Sequence, residues 1–409
     1  MGRKWWRAIA GVLAAGLLLT ACGGSSGGTS SNGNLTWFMW SGSQAEVNAW
    51  NHVASLVTQK YPNIHVKFTT TSFTSYWTKL TSEAGSNTLP CLISLQSIRT
   101  NGYASNFVPL DSLAKQNGVK LSDFNSTILQ GLTSGGSLRA LPYDFGPYVI
   151  YYNTDAFQAA GLPLPAAGWT WSDFTNDLTK LSTKGKYGLA AYSGADSWTP
   201  FVVDQGGSFI KNGKVDLTGS SVQQTYSWYT SLVHEKHEAP QIPGSADSNF
   251  AVEQWQSGAA AMVVDGPWDM INDKASVKFH FGIAPLPTVN GASKTLVAGS
   301  GFGIANTCPD KNNAIKALSV MTGTTAEQYL ATQGRAFAAR TAQQTYWYQN
   351  AVSGSQAPLQ AALQNAKPYT TTKNWQQVDQ LATQYGVAAL NGSESPSSVL
   401  QTVQSQAGS

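Results

Sequence analysis

Charge is scarce in this chain of 409 residues: 25 Lys and Arg and 22 Asp and Glu make up 11% of it and leave a net charge of +3. No basic run follows Arg7, which argues against a nucleic-acid partner, because phosphate binding needs clustered Lys and Arg. The longest uninterrupted apolar run near the start, Ala8 to Leu19, falls short of the roughly 20 residues a permanent membrane-spanning helix requires. There is no Gly-x-Ser-x-Gly elbow for serine chemistry. His234-Glu235-Lys236-His237 lacks the spacing of the His-Glu-x-x-His zinc motif and reads as an exposed helix end. The aspartates that stand out, Asp144, Asp196 and Asp265, have no spacing that sets up an acid and a base across a glycosidic bond. No sequence repeat with a period of roughly 20 to 50 residues occurs, which disfavours a solenoid or propeller. No catalytic residue, metal site or cofactor is therefore expected.

What is present begins at the N-terminus. Arg3, Lys4 and Arg7 precede the Ala8–Leu19 run, the pattern of a secretory signal peptide. Leu19-Thr20-Ala21-Cys22-Gly23 resembles the bacterial lipobox, so residues 1–21 are expected to be removed and Cys22 to become the acylated first residue. Residues 22–34 are almost wholly Gly, Ser, Thr and Asn and read as a flexible tether. The remainder is too long for one typical core and suggests two domains. Its two cysteines, Cys91 and Cys308, lie far apart; a disulfide and two buried thiols are both open, since sequence does not supply the Cα separation. Aromatic residues are abundant, with 14 Trp and 16 Tyr.

From Leu35 on, periodicity predicts alternating strands and helices. Leu35 to Trp40 is β-prone. A helix follows from about Gln44 to Lys60 with Val47, Trp50, Ala54 and Val57 on one face, stopped at Tyr61-Pro62. Ile64, Val66 and Phe68 then alternate with polar residues. Thr154, Ser172 or Thr170, and Asp310 are candidate helix caps, and Pro396 opens a last helix. Strand-like stretches fall at Tyr148–Tyr152, Ala260–Val264 and Phe279–Ile283. The alternation argues for an α/β architecture with largely parallel sheets.

Four segments, in order, resemble family 1 of the extracellular solute-binding proteins, the ABC sugar-importer receptors that include maltose-binding protein. They are Leu35 to Val66; Pro142 to Leu162 running on to Trp171-Ser172-Asp173-Phe174; Phe250 to Trp268; and Pro285-Leu286-Pro287 followed by Gly299 to Ile304 and the helix after Asp310. The resemblance implies a two-lobed periplasmic-binding-protein fold of type II, each lobe a sheet flanked by helices. It puts residues 35–144 plus 285–326 in the N-terminal lobe and 147–282 plus 328–409 in the C-terminal lobe. Hinge crossings then fall near Asp144–Pro147, Gly282–Leu286 and Thr322–Glu327. It further implies a monomeric receptor, lipid-anchored at the outer face of the bacterial cell membrane, that passes a small solute to ABC permease subunits.

Candidate ligand contacts follow. Trp40 and Ser41 end the first strand, where open α/β sheets place ligands. Gly299 and Ser300 bring backbone amides close to a ligand, since glycine permits near approach. The resemblance adds Trp268 and Trp375 as stacking aromatics, Arg99 as a basic contact, and Tyr143 and Asp144 at the first crossing. It also adds Asp196, Trp198 and Asp265 as sugar-facing groups. A sugar presents apolar faces and a rim of hydroxyls, so flat aromatic walls and a few fixed polar groups suit it. Low charge favours a neutral sugar or oligosaccharide over a non-sugar solute such as a glycerol phosphate ester. A secreted glycan-acting enzyme or an adhesin is the rival class. Leu95 and Gly146 stand where maltose-type receptors carry a tryptophan and a glutamate, which argues against maltodextrin itself.

Overall fold

The computed structural model describes residues 33–244 and 248–408; the expected signal segment, Cys22 and the expected tether as far as Asn32 lie outside the described residues. Leu35–Trp40 is nearly continuous in apolar residues because its strand, Asn34–Trp40, is buried on both faces. It pairs in parallel with His65–Thr71 on one side and Leu92–Gln96 on the other. The helix between the first two strands, Gln44–Lys60, starts where Ser43 accepts a hydrogen bond from the Glu46 amide at 3.1 Å, and buries Ala49, Trp50, Val53 and Val57 against the sheet. Thr295–Ile304, buried along its whole length, runs antiparallel to Leu92–Gln96 and to Leu141–Pro147 and parallel to Ala366–Pro368. These six strands form the first lobe's sheet.

The second lobe is built on four strands in the order Phe281–Ala284, Val149–Asn153, Ala260–Asp265, Tyr187–Ala190. Two of its three pairings are antiparallel. The first sheet is parallel at three of its five pairings, as expected, whereas the second is mostly antiparallel, because the strands beside its crossings return in the opposite direction. The expected caps hold at Thr170, which forms a reciprocal capping box with Asp173, at Asp310, whose carboxylate accepts from the Asn313 amide, and at Pro396 as the first helical residue. At Thr154 the cap is one residue earlier, Asn153, whose side chain accepts from the Ala156 amide at 2.9 Å. Among the described residues no helix is long and apolar enough to cross a membrane.

The chain passes between lobes three times, and two of the passes differ from expectation. The first lies at Pro147–Val149, beside the expected position. The second lies near Lys294–Val297, not Gly282–Leu286. The loop after Ala284 stays on the second lobe, where the Trp169 indole donates to the Pro285 carbonyl at 3.0 Å and the Lys294 amide to Asp204 at 3.0 Å. The third lies near Pro368–Thr371, not Thr322–Glu327. Residues 328–368 belong to the first lobe: Phe145 donates its amide to the Phe337 carbonyl, Ala339 to Tyr143, and Ala366–Pro368 joins the first sheet. Sequence periodicity marks helices but not which lobe they cover, so both boundaries shift. The three passes lie side by side, since the Tyr148 amide donates to the Leu296 carbonyl at 3.0 Å and the Tyr369 amide to Val297 at 2.9 Å.

Cys91 and Cys308 form a disulfide with Cα atoms 4.4 Å apart. The antiparallel register that sets Ile304 opposite Leu92 brings them together, so the bond joins the segments just beyond two paired strands of the first sheet, across 217 residues of sequence.

Candidate ligand-binding cleft

A cavity of about 210 Å³ lies between the lobes, and a second recess of about 150 Å³ adjoins it through Phe73, Tyr192 and Asp196. The floor belongs to the first lobe and is organised by Arg335. Gly334, at φ +75°, turns the chain after the helix Thr324–Thr332 and delivers the Arg335 side chain into the interior. Its guanidinium binds Glu46, donates to Asp144 Oδ2 at 3.2 Å and to the Tyr143 hydroxyl at 3.3 Å, and lies 4.7 Å over the Trp50 ring. Asp144 also accepts from the Ser300 amide at 2.7 Å, and Glu46 from the Gly42 amide at 2.7 Å. Burial pushes the Asp144 carboxyl up to about 6, against the pull of Arg335.

Trp40 forms the first lobe's aromatic wall, held edge-on by Phe73 and Tyr76 and tilted against Trp77. Trp268 faces it from the second lobe, half-buried, with its ring 5.4 Å from and nearly perpendicular to Tyr148. The Gly266-Pro267-Trp268 turn is fixed by hydrogen bonds from the Tyr151 hydroxyl to the Gly266 carbonyl and from the Trp347 indole to the Pro267 carbonyl. Glycine is required at 266 because the Trp268 ring folds back over it: a Cβ there would stand 2.2 Å from the ring. A Cβ at Gly146 would stand 2.2 Å from the Pro267 ring, which is why no cleft side chain can occupy that crossing position.

Among the polar groups on the second lobe are three carboxylates, Asp196, Asp265 and Asp269, beside neutral groups such as Gln256 and Asn272. Asp196, in the first turn of the helix Ala195–Asp204, accepts from the Tyr192 hydroxyl; burial, and then the charge of Asp379, lift it to about 6. Asp265, at the end of its strand, is raised well above the ordinary carboxylate range by burial and by the neighbouring charge of Asp269. Asn272 donates its amide to Asp269 at 2.7 Å.

Of the expected contacts, Trp40, Asp144, Asp196, Asp265, Trp268, Gly299 and Ser300 line the main cavity. The structure corrects the expected role of the last two, because the Gly299 amide donates to Ser97 and the Ser300 amide to Asp144, so neither is free for a ligand. Gly299 is glycine for packing, since a Cβ would sit 2.5 Å from the Asp144 carbonyl oxygen. Arg99 lines the adjoining recess, its guanidinium bonded to Gln96, Gln376 and Asp379 and stacked 4.4 Å over Trp77. Ser41 sits at the rim, paired with the Thr70 hydroxyl, and does not line the cavity.

Three expected contacts are core residues instead. Tyr143 is fully buried and stacked on Phe302 at 4.5 Å. Trp198 is fully buried against Tyr226, and Trp375 is buried against Phe209 and Tyr369. Each lies on the inward face of its element, so the aromatic fills the lobe interior. Sequence reasoning missed Glu46, Phe73, Gln96, Tyr148, Tyr192, Asp269, Asn272 and Arg335. Asp269 and Asn272 carried a signal, lying just after Trp268; Arg335 carried none, because its partners are 191 and 289 residues away.

The sequence pattern of the bacterial extracellular solute-binding protein family matches residues 13–328. The chain is 22% identical over 243 residues to a lactose-binding protein of Rhizobium radiobacter, covering 57% of this chain and 56% of that protein. It is 25% identical over 313 residues to a maltooligosaccharide ABC transporter solute-binding lipoprotein of Streptococcus pneumoniae, covering 70% and 68%. The chain spans about half the length of the first curated relatives it matches. In fold it is similar to an ABC substrate-binding protein of Listeria monocytogenes solved in complex with cycloalternan, with a TM-score of 0.83, 19% identity, and 91% of this chain and 97% of that one covered.

Proposed function

This chain belongs to the bacterial extracellular solute-binding proteins, and from that premise we propose that it is the extracytoplasmic receptor of an ABC importer, capturing a sugar or oligosaccharide between its lobes. The observation that carries the reading is the cavity itself. It is walled by Trp40 from one lobe and Trp268 from the other, with Asp144, Asp196 and Asp265 supplying acceptors between them. Flat rings suit the C–H faces of a pyranose, and carboxylates accept its hydroxyls. Because the ligand touches both lobes, it stabilises the closed arrangement and shifts the hinge equilibrium toward it. The ligand is captured and released unchanged, and closure is what the permease subunits read. Signal-peptide processing, acylation of Cys22 and a Gly/Ser tether hold a monomeric receptor at the outer face of the cell membrane in this reading.

A glycerol phosphate ester fits the cleft poorly, because both guanidiniums near it, Arg335 and Arg99, are already bonded to carboxylates. The test is a thermal-shift screen of the purified protein against mono- and oligosaccharides, phosphorylated solutes and amines, since a ligand that binds only the folded form raises the melting temperature. A rise with a saccharide that disappears in Trp268→Ala supports both class and cleft. A rise only with a non-sugar solute overturns the sugar assignment. Product analysis after incubation with the bound oligosaccharide separates capture from cleavage: an altered sugar overturns the receptor reading.

A further inference from the structure

The strand Leu92–Gln96 ends at the cleft, and a single 3-10 turn, Ser97–Arg99, follows it. That turn sets Gln96 and Arg99 at the spacing where side chains eclipse and meet. Gln96 pairs in register with Ser300, which pairs in turn with Asp144, so the three stand in a row across the first lobe's floor. Gln96 lines the main cavity, and Arg99 lines the adjoining recess. The buried guanidinium of Arg99 is fixed on every side. Its Nε donates to Gln376 at 2.6 Å and its Nη2 to Asp379 at 2.6 Å, both on the second lobe's helix Trp375–Leu390, and its face stacks on Trp77. The remaining nitrogen, Nη1, donates to the Gln96 Oε1.

This last contact determines which way the Gln96 amide faces. A guanidinium has donors and no acceptor, so the amide must turn its oxygen to Arg99 and its Nε2 to the opposite side, away from the recess and toward the main cavity. The reversed amide would set N–H against N–H and leave a buried donor unpaired. Gln96 is half-buried, and its Nε2 has no hydrogen-bond partner among the described residues and is not enclosed by protein. The carboxylates beside it are already engaged: each oxygen of Asp144 accepts from Ser300 or Arg335, and each oxygen of Glu46 from Gly42 or Arg335. Gln96 thus brings to the floor a fixed donor with uncommitted hydrogens, in a cavity whose far wall offers the acceptors Asp196 and Asp265.

We infer that Gln96 is a specificity-determining donor that binds an uncharged oxygen of the saccharide, and that Arg99 acts through it as a positioning residue. This rests on the sugar-receptor reading and adds a requirement to it. The solute must present an acceptor at this point of the floor: a hydroxyl, a ring or glycosidic oxygen, or an acetamido carbonyl. An ammonium or a deoxygenated carbon has none to offer, and would leave the Gln96 N–H groups unpaired in a closed cleft. Because Gln376 and Asp379 hold Arg99 from the second lobe, the direction of a first-lobe amide is set by contacts made across the cleft.

The experiment is titration calorimetry at pH 8 with maltotriose, cellotriose, mannotriose, lactose and chitotriose, on the unaltered protein, Gln96→Glu, Gln96→Met, Arg99→Lys and the Gln96→Glu/Arg99→Lys double variant. Gln96→Glu keeps an acceptor for Arg99 but turns an acceptor toward the cavity in place of a donor. A saccharide that binds the unaltered protein should bind this variant about tenfold or more weakly. Gln96→Met, which deletes one neutral hydrogen bond, should cost about threefold to tenfold. Arg99→Lys frees the Gln96 amide to turn and should weaken binding about threefold or more. In the Gln96→Glu background it should cost little further, since a carboxylate is the same either way round; an arginine of purely structural value would cost the same in both backgrounds. Thermal unfolding of the ligand-free variants checks the fold, and Gln96→Met decides should Gln96→Glu not fold. Either Gln96 variant binding as tightly as the unaltered protein, or an Arg99→Lys loss equal in the two backgrounds, overturns the inference and leaves the receptor standing. Binding of none of these saccharides to the unaltered protein overturns the sugar reading and the inference together.

Discussion

Replacing Arg335 with methionine keeps most of the side-chain volume and removes one charge from a site where Glu46, Asp144 and Arg335 are all at most 3% exposed. Breaking a buried ion pair from one side costs about 3–5 kcal/mol, because the carboxylates left behind are desolvated and uncompensated. The cost depends on pH with a definite sign. Even with Arg335 in place, burial holds Asp144 at about 6, above the roughly 3.9 of a free aspartate. The folded state therefore binds its proton more tightly than the unfolded chain. The penalty for ionising it is absent below about pH 4, grows between 4 and 6, and is constant above at about 3 kcal/mol. Without the guanidinium the folded value climbs further and the window of rising penalty extends toward neutral pH. Urea unfolding followed by tryptophan fluorescence at pH 5 and pH 8 measures this directly. The loss of stability in Arg335→Met should be larger at pH 8 than at pH 5 by at least about 1 kcal/mol. An equal loss at both values, or a total loss under about 1 kcal/mol at pH 8, would refute the claim that Arg335 offsets the burial of the Asp144 charge.

Other outcomes follow from the same geometry. Reducing the Cys91–Cys308 bond, or replacing both residues with serine, should lower stability by about 2–4 kcal/mol in denaturant titrations, because the closed loop is long. Dithiothreitol should have no further effect on the double variant. Trp375→Ala and Trp198→Ala should each cost about 3–5 kcal/mol of stability, as deletions from a packed interior, while the folded fraction keeps its ligand affinity. Trp268→Ala should do the reverse, weakening the bound saccharide about tenfold or more with a smaller stability change. Gly266→Ala should displace the Trp268 ring, since the added methyl has no room beneath it, and so mimic the loss of that ring in a binding titration.

The α/β character was legible because strand and helix periods alternate cleanly, as in Leu35–Trp40 followed by the Gln44–Lys60 helix. Caps at Thr170 and Asp310 were legible for the same local reason: the capping side chain and the amide it binds are three residues apart. Lobe boundaries were not, because lobe membership is set by pairings such as Thr295 with Ala366, which no local pattern encodes. The cleft divides along the same line. Trp40 sits at a strand end, where a local reading can find it, whereas Asp265 and Trp268 were found through the family resemblance of the Phe250–Trp268 segment. Trp375 misled because a tryptophan opening an amphipathic helix serves the core as well as a ligand, and only burial tells them apart. Arg335 was invisible: a lone arginine after a helix becomes the centre of the floor solely through contacts with Glu46 and Asp144.

The three passes between lobes, bonded side by side through Tyr148, Leu296, Val297 and Tyr369, form one narrow ribbon. Lobes joined along a line of that kind can roll about it but resist sliding past each other, so their relative position reduces to a single angle. A pair of fluorophores on opposite lips of the cleft would then report that angle as one distance, making the protein a one-coordinate sensor for whatever solute it binds.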